Sequence, residues 1–480
     1  MLLLSIFLLP LIGALILSSI RINHQSIHLR FLALFFAILP FLLSIVACIE
    51  FDYNNADFQF VSYPVRDIEI GVDGISLLFL LLTTFLFVIC MLYNCKMSYT
   101  TLKAYMALFL LLESFVVGFF VSLNAIGFYV FFEAVLIPMF FIIGIWGGKQ
   151  RIYATFKLFL YTLTGSLLFL LGLVYIYNIF GTFDIQELAT LTPSLDLGVQ
   201  SLLWIAFFIS FAIKVPMFPF HTWLPDAHVQ SPTSGSVILA GLLIKMGGYG
   251  FLRFSIPMLP QASLYFSNFV VVLSIIAVIY ASLVAFAQDD IKKLIAYSSI
   301  AHMGIVTAGL FSFCEEGVLG SIFQMISHGI ISAALFLCVG MLYTRTGTLE
   351  IAKYFGIVNT MPKFGFMFIL FSMASIGLPG TSGFIGEFLA MVGMFKSIGF
   401  FTGFIALGTI LSAVYMLNLC KQIIWGVSDS KLLNHHLDNI EFSVLILLAV
   451  FVVLLGFYPT LALNYLKPCM ASLLVKYNAL

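Results

Sequence analysis

Residues 213–254 read IKVPMFPFHTWLPDAHVQSPTSGSVILAGLLIKMGGYGFLRF. Two lysines, Lys214 and Lys245, stand here inside apolar runs, and Pro216, Pro219 and Pro225 follow the first within a few turns. Proline removes a backbone donor and clashes with the preceding turn, so no continuous helix is expected through this stretch. A charge costs about 2.5–3.5 kcal/mol at the centre of a membrane helix. Irregular backbone at that depth is tolerated only where it is buried or lines a hydrated cavity. The stretch therefore reads as the functional centre of a membrane protein.

The rest of the chain agrees. Its 480 residues are 62% hydrophobic and 9% charged, against roughly 45–50% and 25% in soluble proteins. Mean hydropathy is +1.14. That excludes a soluble enzyme, a nucleic-acid binder and a disordered chain. Basic and acidic residues balance at 21 each, so no bulk attraction to anionic partners arises. The apolar runs are unbroken rather than alternating, which favours helices over a β-barrel. The fold expected is an all-α polytopic membrane protein.

A span needs about 20 apolar residues. Fourteen are expected, at about 2–20, 29–49, 72–93, 103–121, 124–146, 152–180, 199–229, 232–257, 264–286, 293–312, 317–343, 361–395, 398–421 and 440–459. Thirteen Lys and Arg fall in connections after odd-numbered spans, among them Arg21, Lys292, Lys293, Arg345 and Lys431. Five follow even-numbered spans or lie in the C-terminal tail: Arg66, Arg253, Lys396, Lys467 and Lys476. By the positive-inside rule both termini are expected on the outer side. The polar segments 50–71, 181–198 and 344–360 are too short for an extramembrane domain.

Other ionisable groups sit at membrane depth: Glu113, Glu133, Lys157, His302, His328 and Glu387. If Glu133, Lys214, Lys245 and Glu387 faced lipid unpaired, they would cost about 12 kcal/mol in all. A whole domain is stable by only about 5–15 kcal/mol. They must face the bundle interior. Ser, Thr or Asn would glue helices more cheaply, so a row of alternating acids and bases points to proton transfer. A second interruption, IGLPGTSGFIGEF, places Pro379 and Gly380 a short way before Glu387.

The interruptions fall in spans seven and twelve, five apart. Paired broken helices in corresponding halves mark a transporter's ion site. The organisation expected is an N-terminal three-helix flank (1–102), a five-helix repeat (103–257), a second, inverted five-helix repeat (258–426) and a C-terminal helix (427–480). Matching by rank sets Glu133 opposite His302, Lys157 opposite His328, and Lys214 opposite Glu387. The seven cysteines are scattered and form no CxxC or Cys/His cluster, so no iron–sulfur or haem site is expected in this chain. No GxGxxG after a strand or P-loop appears either.

The long Lys-to-Lys block resembles the signature of the antiporter-like proton-pumping subunits of respiratory complex I, NADH:quinone oxidoreductase. FYVFFEAVLIPMFFIIGIWGG, IAYSSIAHMGIV, QMISHGIISAALF and GLPGTSGFIGEF resemble that family as well. Glu rather than Lys in broken span twelve, and no long C-terminal lateral helix, point to its chain M, or subunit 4, branch. The resemblance implies that Glu133 and Lys214 form the ion pair of a first half-channel and that Lys245 is the central relay. His302 and His328 would carry protons onward to a terminal Glu387. Lys157 and Glu113 match less closely, as entry or stabilising groups. His221, Asp226 and His228 read as structural or interfacial, near a membrane face. Two charges 4 Å apart interact by about 4 kcal/mol at an effective dielectric of 20, enough to switch whether Lys214 keeps its proton. NADH, FMN, iron–sulfur clusters and quinone would belong to partner subunits, which would include other antiporter-like chains, in a bacterial or mitochondrial inner membrane. A multisubunit cation/proton antiporter or membrane-bound hydrogenase of the same fold is the alternative, and a passive scaffold or lipid-binding protein a more distant one.

Overall fold

The computed structural model describes residues 1–20, 27–65, 68–97, 99, 101–426 and 436–478. Arg21, Arg66 and Lys431, three of the cations used for orientation, lie outside the described residues, as does the side chain of Lys476. The chain divides into two compact units. One holds Met1–Lys214, Lys245–Phe266 and Asn464–Leu480; the other holds Val215–Ile244 and Ser267–Leu463.

Among the described residues, twelve helices are long and apolar enough to cross a membrane. They fall on the expected spans, but fourteen is not the number that length and apolarity give. The expected tenth span is helical over Ile291–Leu310 yet opens with Lys292 and Lys293. The expected twelfth is cut into Pro362–Ile376 and Ser382–Ile398, and the second piece runs on towards Thr402–Ile424. The interruption at span seven is present as well. Leu197–Lys214 ends at the lysine, and the helix resumes only at Trp223–Gln230.

Capping residues set several boundaries. Asp73 and Ser76 form a capping box at the start of Gly74–Asn94, each satisfying a donor that the first turn leaves open. Asn124 and Asp290 cap Ala125–Ala134 and Ile291–Leu310 with side-chain oxygens that accept first-turn backbone N–H groups. Arg151–Phe180 stops at Gly181 (φ 72°) and Glu315–Thr346 at Gly347 (φ 69°), a left-handed conformation that glycine adopts without strain.

These features recur in register. In the first unit Ala125 N–H donates to Phe183 O and Ile185 N–H to Leu123 O. In the second, Ile291 N–H donates to Leu349 O and Ile351 N–H to Asp289 O. Isolated bridges join Asn124 to Asp184 and Asp290 to Glu350. Every member of the second set lies the same number of residues along the chain from its counterpart. The same long helix, glycine stop and bridged cap are thus built twice.

Three local features depart from expectation. Residues 50–71, read as a polar connection in an all-helical protein, contain an antiparallel hairpin of Gln59–Val65 and Ile68–Val72. Val61, Ile70 and Val72 supply β-branched content, the usual strand chemistry. The expected fifth span, Ala125–Trp146, is locally interrupted at Val135, between Ala125–Ala134 and Leu136–Trp146, because Pro138 lacks the N–H that the Ala134 carbonyl would accept. The expected C-terminal tail is a further helix, Thr460–Asn478, with Pro468 inside it.

That last helix docks on Gly74. A Cβ there would stand 1.8 Å from the Tyr465 carbonyl oxygen. Gly74→Ala is expected to displace the C-terminal helix at a cost of about 1–3 kcal/mol. Limited proteolysis near residue 460 is the measurement. Unchanged cleavage would show that the contact is dispensable.

Three cations assigned to connections are also repositioned. Arg345 makes a two-pronged ion pair with Glu441, at 2.6 and 3.1 Å, and both are largely buried. Lys292 is buried at the first turn of its helix. Arg253 lies within the helical segment Phe251–Ser255 and pairs with Asp73. Helices Ile291–Leu310 and Glu315–Thr346 extend past their apolar windows and carry Lys292 and Arg345 into packing contacts, whereas Arg253 lies inside its window, near the end.

Candidate functional site

In the first unit, helix Leu197–Lys214 delivers Lys214 at its C-terminal end, where a cation complements the helix dipole. Val215 precedes a proline and is biased away from helical geometry, which stops the helix there. Lys214 is 2% exposed. Its Nζ donates to the Phe132 carbonyl oxygen at 3.5 Å and lies 4.6 Å from the Phe132 ring centroid. Phe132 belongs to the first piece of the interrupted fifth span, and Glu133 follows it. Among the described residues no ion pair within 4.0 Å joins Glu133 to Lys214. The direct pair implied by family resemblance is not made in this structure. The two charges act on each other across space, Ser166 lies beside the Glu133 carboxylate, and Glu133 Oε1 has no hydrogen-bond partner.

Lys245 is fully buried in the helical stretch Thr233–Met258. Two π-helical turns interrupt that stretch, Leu239–Leu243 just before Lys245 and Phe251–Ser255 after it. Such turns insert a residue into the helix and recur at functional sites. Glu113 is also fully buried, on Leu102–Val121, and neither carboxyl oxygen has a hydrogen-bond partner. Lys157 differs from these. It is only partly buried, on Arg151–Phe180, with its ammonium 5.6 Å from the ring of the exposed Tyr153.

The second unit holds the tightest cluster. Glu387 sits in the second turn of Ser382–Ile398, directly after the break at Gly377–Thr381 that contains Pro379 and Gly380. His302 Nδ1 lies 2.8 Å from Glu387 Oε1, and Gln324 Nε2 donates to the same oxygen at 3.0 Å. His302 Nε2 is 3.4 Å from Ser375 Oγ. The His302 and His328 rings are 5.5 Å apart. All of these side chains are buried. Gly386 permits the close approach, since a Cβ there would meet Gln324 Oε1 at 2.5 Å. Five buried polar side chains thus converge from four helices beside one break.

His221 and His228 are interior residues of this unit. His221 lies against Phe218 and Tyr280, and His228 stacks on Phe336 at 4.5 Å. Asp226, on the same half-helix as His228, is partly exposed.

Residues 122–412 match the family model described as NADH:quinone oxidoreductase/Mrp antiporter, transmembrane. The chain belongs to this family. A Rickettsia conorii protein named NADH-quinone oxidoreductase subunit M is 49% identical over 485 residues, covering 98% of each chain. A Marchantia polymorpha protein named NADH-ubiquinone oxidoreductase chain 4 is 48% identical, covering 98% of this chain and 96% of its own. A chain in the structure of respiratory complex I from Thermus thermophilus with bound NADH superposes with a TM-score of 0.88 at 30% identity, over 99% of this chain and 100% of that one.

For a member of the NADH:quinone oxidoreductase/Mrp antiporter family, three features beyond the expected residues stand out. Gln324 was readable as an amide four residues before His328 in an apolar span, hence on the same helix face. Ser375 carried no such signal. The buried Asp73–Arg253 pair, with the guanidinium over the Tyr249 and Phe58 rings, joins residues far apart in sequence. Gln324→Leu removes one donor to a carboxylate, a bond worth about 1.5–3 kcal/mol when one partner is charged. Proton pumping is expected to slow by roughly tenfold at matched protein content. Undiminished pumping would reduce Gln324 to a space-filler.

Proposed function

We propose that this chain moves protons across the membrane as a membrane-arm subunit of a respiratory NADH:quinone oxidoreductase, driven by redox chemistry in other subunits. The observation that carries the reading is the buried Glu387–His302–Gln324 cluster at a helix break, matched in the other unit by buried Lys214 at a second break. The names and identities of the relatives support it. The chain crosses the membrane many times, and bacterial and mitochondrial relatives fit an inner membrane.

In this reading Glu133 and Lys214 gate the first half-channel. While the Glu133 charge is near, Lys214 keeps its proton and rests on the Phe132 carbonyl. A change in a neighbouring subunit that weakens the Glu133 charge releases that proton towards Lys245. His328 and His302 pass protons on, and Glu387 discharges to the outer side. His302 suits this task, since a ring nitrogen on Glu387 and another facing Ser375 let the imidazole take a proton on one side and give it on the other. Lys157 and Glu113 serve as peripheral members of the relay. The two five-helix repeats, 103–257 and 258–426, carry the two halves of the path. NADH, flavin, iron–sulfur and quinone chemistry belongs to partner subunits, among them other antiporter-like chains, and this chain holds no redox centre.

The test is purification in mild detergent followed by reconstitution into vesicles. Flavin and iron–sulfur absorbance, NADH oxidation and coupled proton uptake are expected together. Cation/proton exchange without flavin or NADH oxidation would replace this reading with the antiporter one.

A further inference from the structure

Three lysines are buried among the described residues: Lys214, Lys245 and Lys292, the last 5% exposed. The proposed relay uses the first two. Lys292 is the second residue of helix Ile291–Leu310, after the cap Asp290. A cation in the first turn stands at the wrong end of its own helix dipole; the Asp290 charge at the cap opposes that field, and a further partner comes from elsewhere.

That partner is the end of another helix. Lys292 Nζ donates to the Ser231 carbonyl oxygen at 2.7 Å. Ser231 is the C-cap of Trp223–Gln230, the half-helix that resumes after the span-seven break. The last carbonyls of a helix have no intrahelical partner and carry the negative end of its dipole. Lys292 supplies both a donor and the opposite charge. At Ser231 the backbone turns extended into Pro232, and the helix that will carry Lys245 begins at Thr233. Ser236 Oγ, in the first turn of that next helix, donates back to His228 O at 3.1 Å. The joint is therefore tied from two sides, by Ser236 from within and by Lys292 from helix Ile291–Leu310, which also bears His302.

We propose that Lys292 is a positioning residue for proton translocation. It clamps the Ser231–Pro232 joint, the point in the chain where broken helix seven hands over to the helix of Lys245, to the helix of His302. The proposal rests on the proton-translocating reading given above. It assigns Lys292 no proton of its own to pass.

The test compares Lys292→Met, which keeps the stem and volume but loses charge and donor, with Lys292→Arg, which keeps both. Protons pumped per NADH oxidised are measured in membranes at matched complex content, with Lys245→Ala alongside. Lys292→Met is expected to lower pumping on the order of tenfold, the scale of one charged hydrogen bond, and Lys292→Arg to restore most of it. Wild-type pumping in Lys292→Met overturns the proposal. So does equal loss in Lys292→Arg, which would make Lys292 a proton carrier. If Lys292→Met fails to assemble, Lys292→Gln is judged by the same criteria. Failure of both to assemble beside a normal Lys292→Arg would mean a folding role alone, and overturns it too. Normal pumping in Lys245→Ala would instead sink the relay reading, whatever Lys292 does.

Discussion

Lys245→Ala is expected to leave the complex assembled and to reduce proton pumping by at least about tenfold, equivalent to roughly 1.4 kcal/mol or more on the limiting step. Lys245 is fully buried directly after a π-helical turn. Replacing it removes a buried ammonium, relieving an insertion cost of about 2.5–3.5 kcal/mol. That relief offsets the cavity left by the shorter side chain, so assembly survives while the relay does not. Lys245→Arg sharpens the test. Arginine keeps the charge but does not give up its proton in proteins, so it is expected to fail as Ala does. Proton uptake per NADH, with complex content read from flavin, is the measurement. Wild-type coupling in the Ala variant would remove Lys245 from the path. Wild-type coupling in the Arg variant would show that its charge, not proton exchange, is what matters.

Glu133 and Glu113 present the second large contrast. Glu133 follows Phe132, whose carbonyl holds Lys214, and stands at the interruption between Ala125–Ala134 and Leu136–Trp146. Loosened backbone of this kind admits water. Glu113 lies mid-helix, fully buried, with neither oxygen hydrogen-bonded. Glu133→Ala is expected to cut coupled pumping about tenfold or more, because nothing then opposes release of the Lys214 proton. Glu133→Asp is expected to retain part of it, since the charge persists at shorter reach. Glu113→Gln is expected to be milder, because no hydrogen bond to the carboxyl is lost. The comparison is NADH-driven pumping at matched complex content. A loss from Glu113→Gln equal to that from Glu133→Ala would move the gate to helix Leu102–Val121.

The amino-acid sequence by itself determined the membrane class, the position of the spans, the breaks at Pro216–Pro219 and Pro379–Gly380, and the residues of interest. Each depends on local chemistry. Apolar runs of span length have one use, proline interrupts a helix wherever it falls, and an ionisable group inside such a run is costly in any fold. Helix Thr460–Asn478 was missed because Pro468 argues locally against it, while docking against Gly74 overrides that preference. The hairpin at 59–72 was missed because spans were sought by apolarity, and its strands are held by pairing with each other.

Tertiary structure alone decided the partners. His302 meets Glu387 from 85 positions away, and Gln324 from 63. Lys214 rests on a carbonyl 82 residues distant rather than on the acid beside it. Lys292 and Arg345 read as loop charges until helices from elsewhere in the chain closed over them. Which buried charge faces which acceptor is set by how helices pack over long sequence separations, and a pattern local to one helix carries no information about the helix that will lie against it.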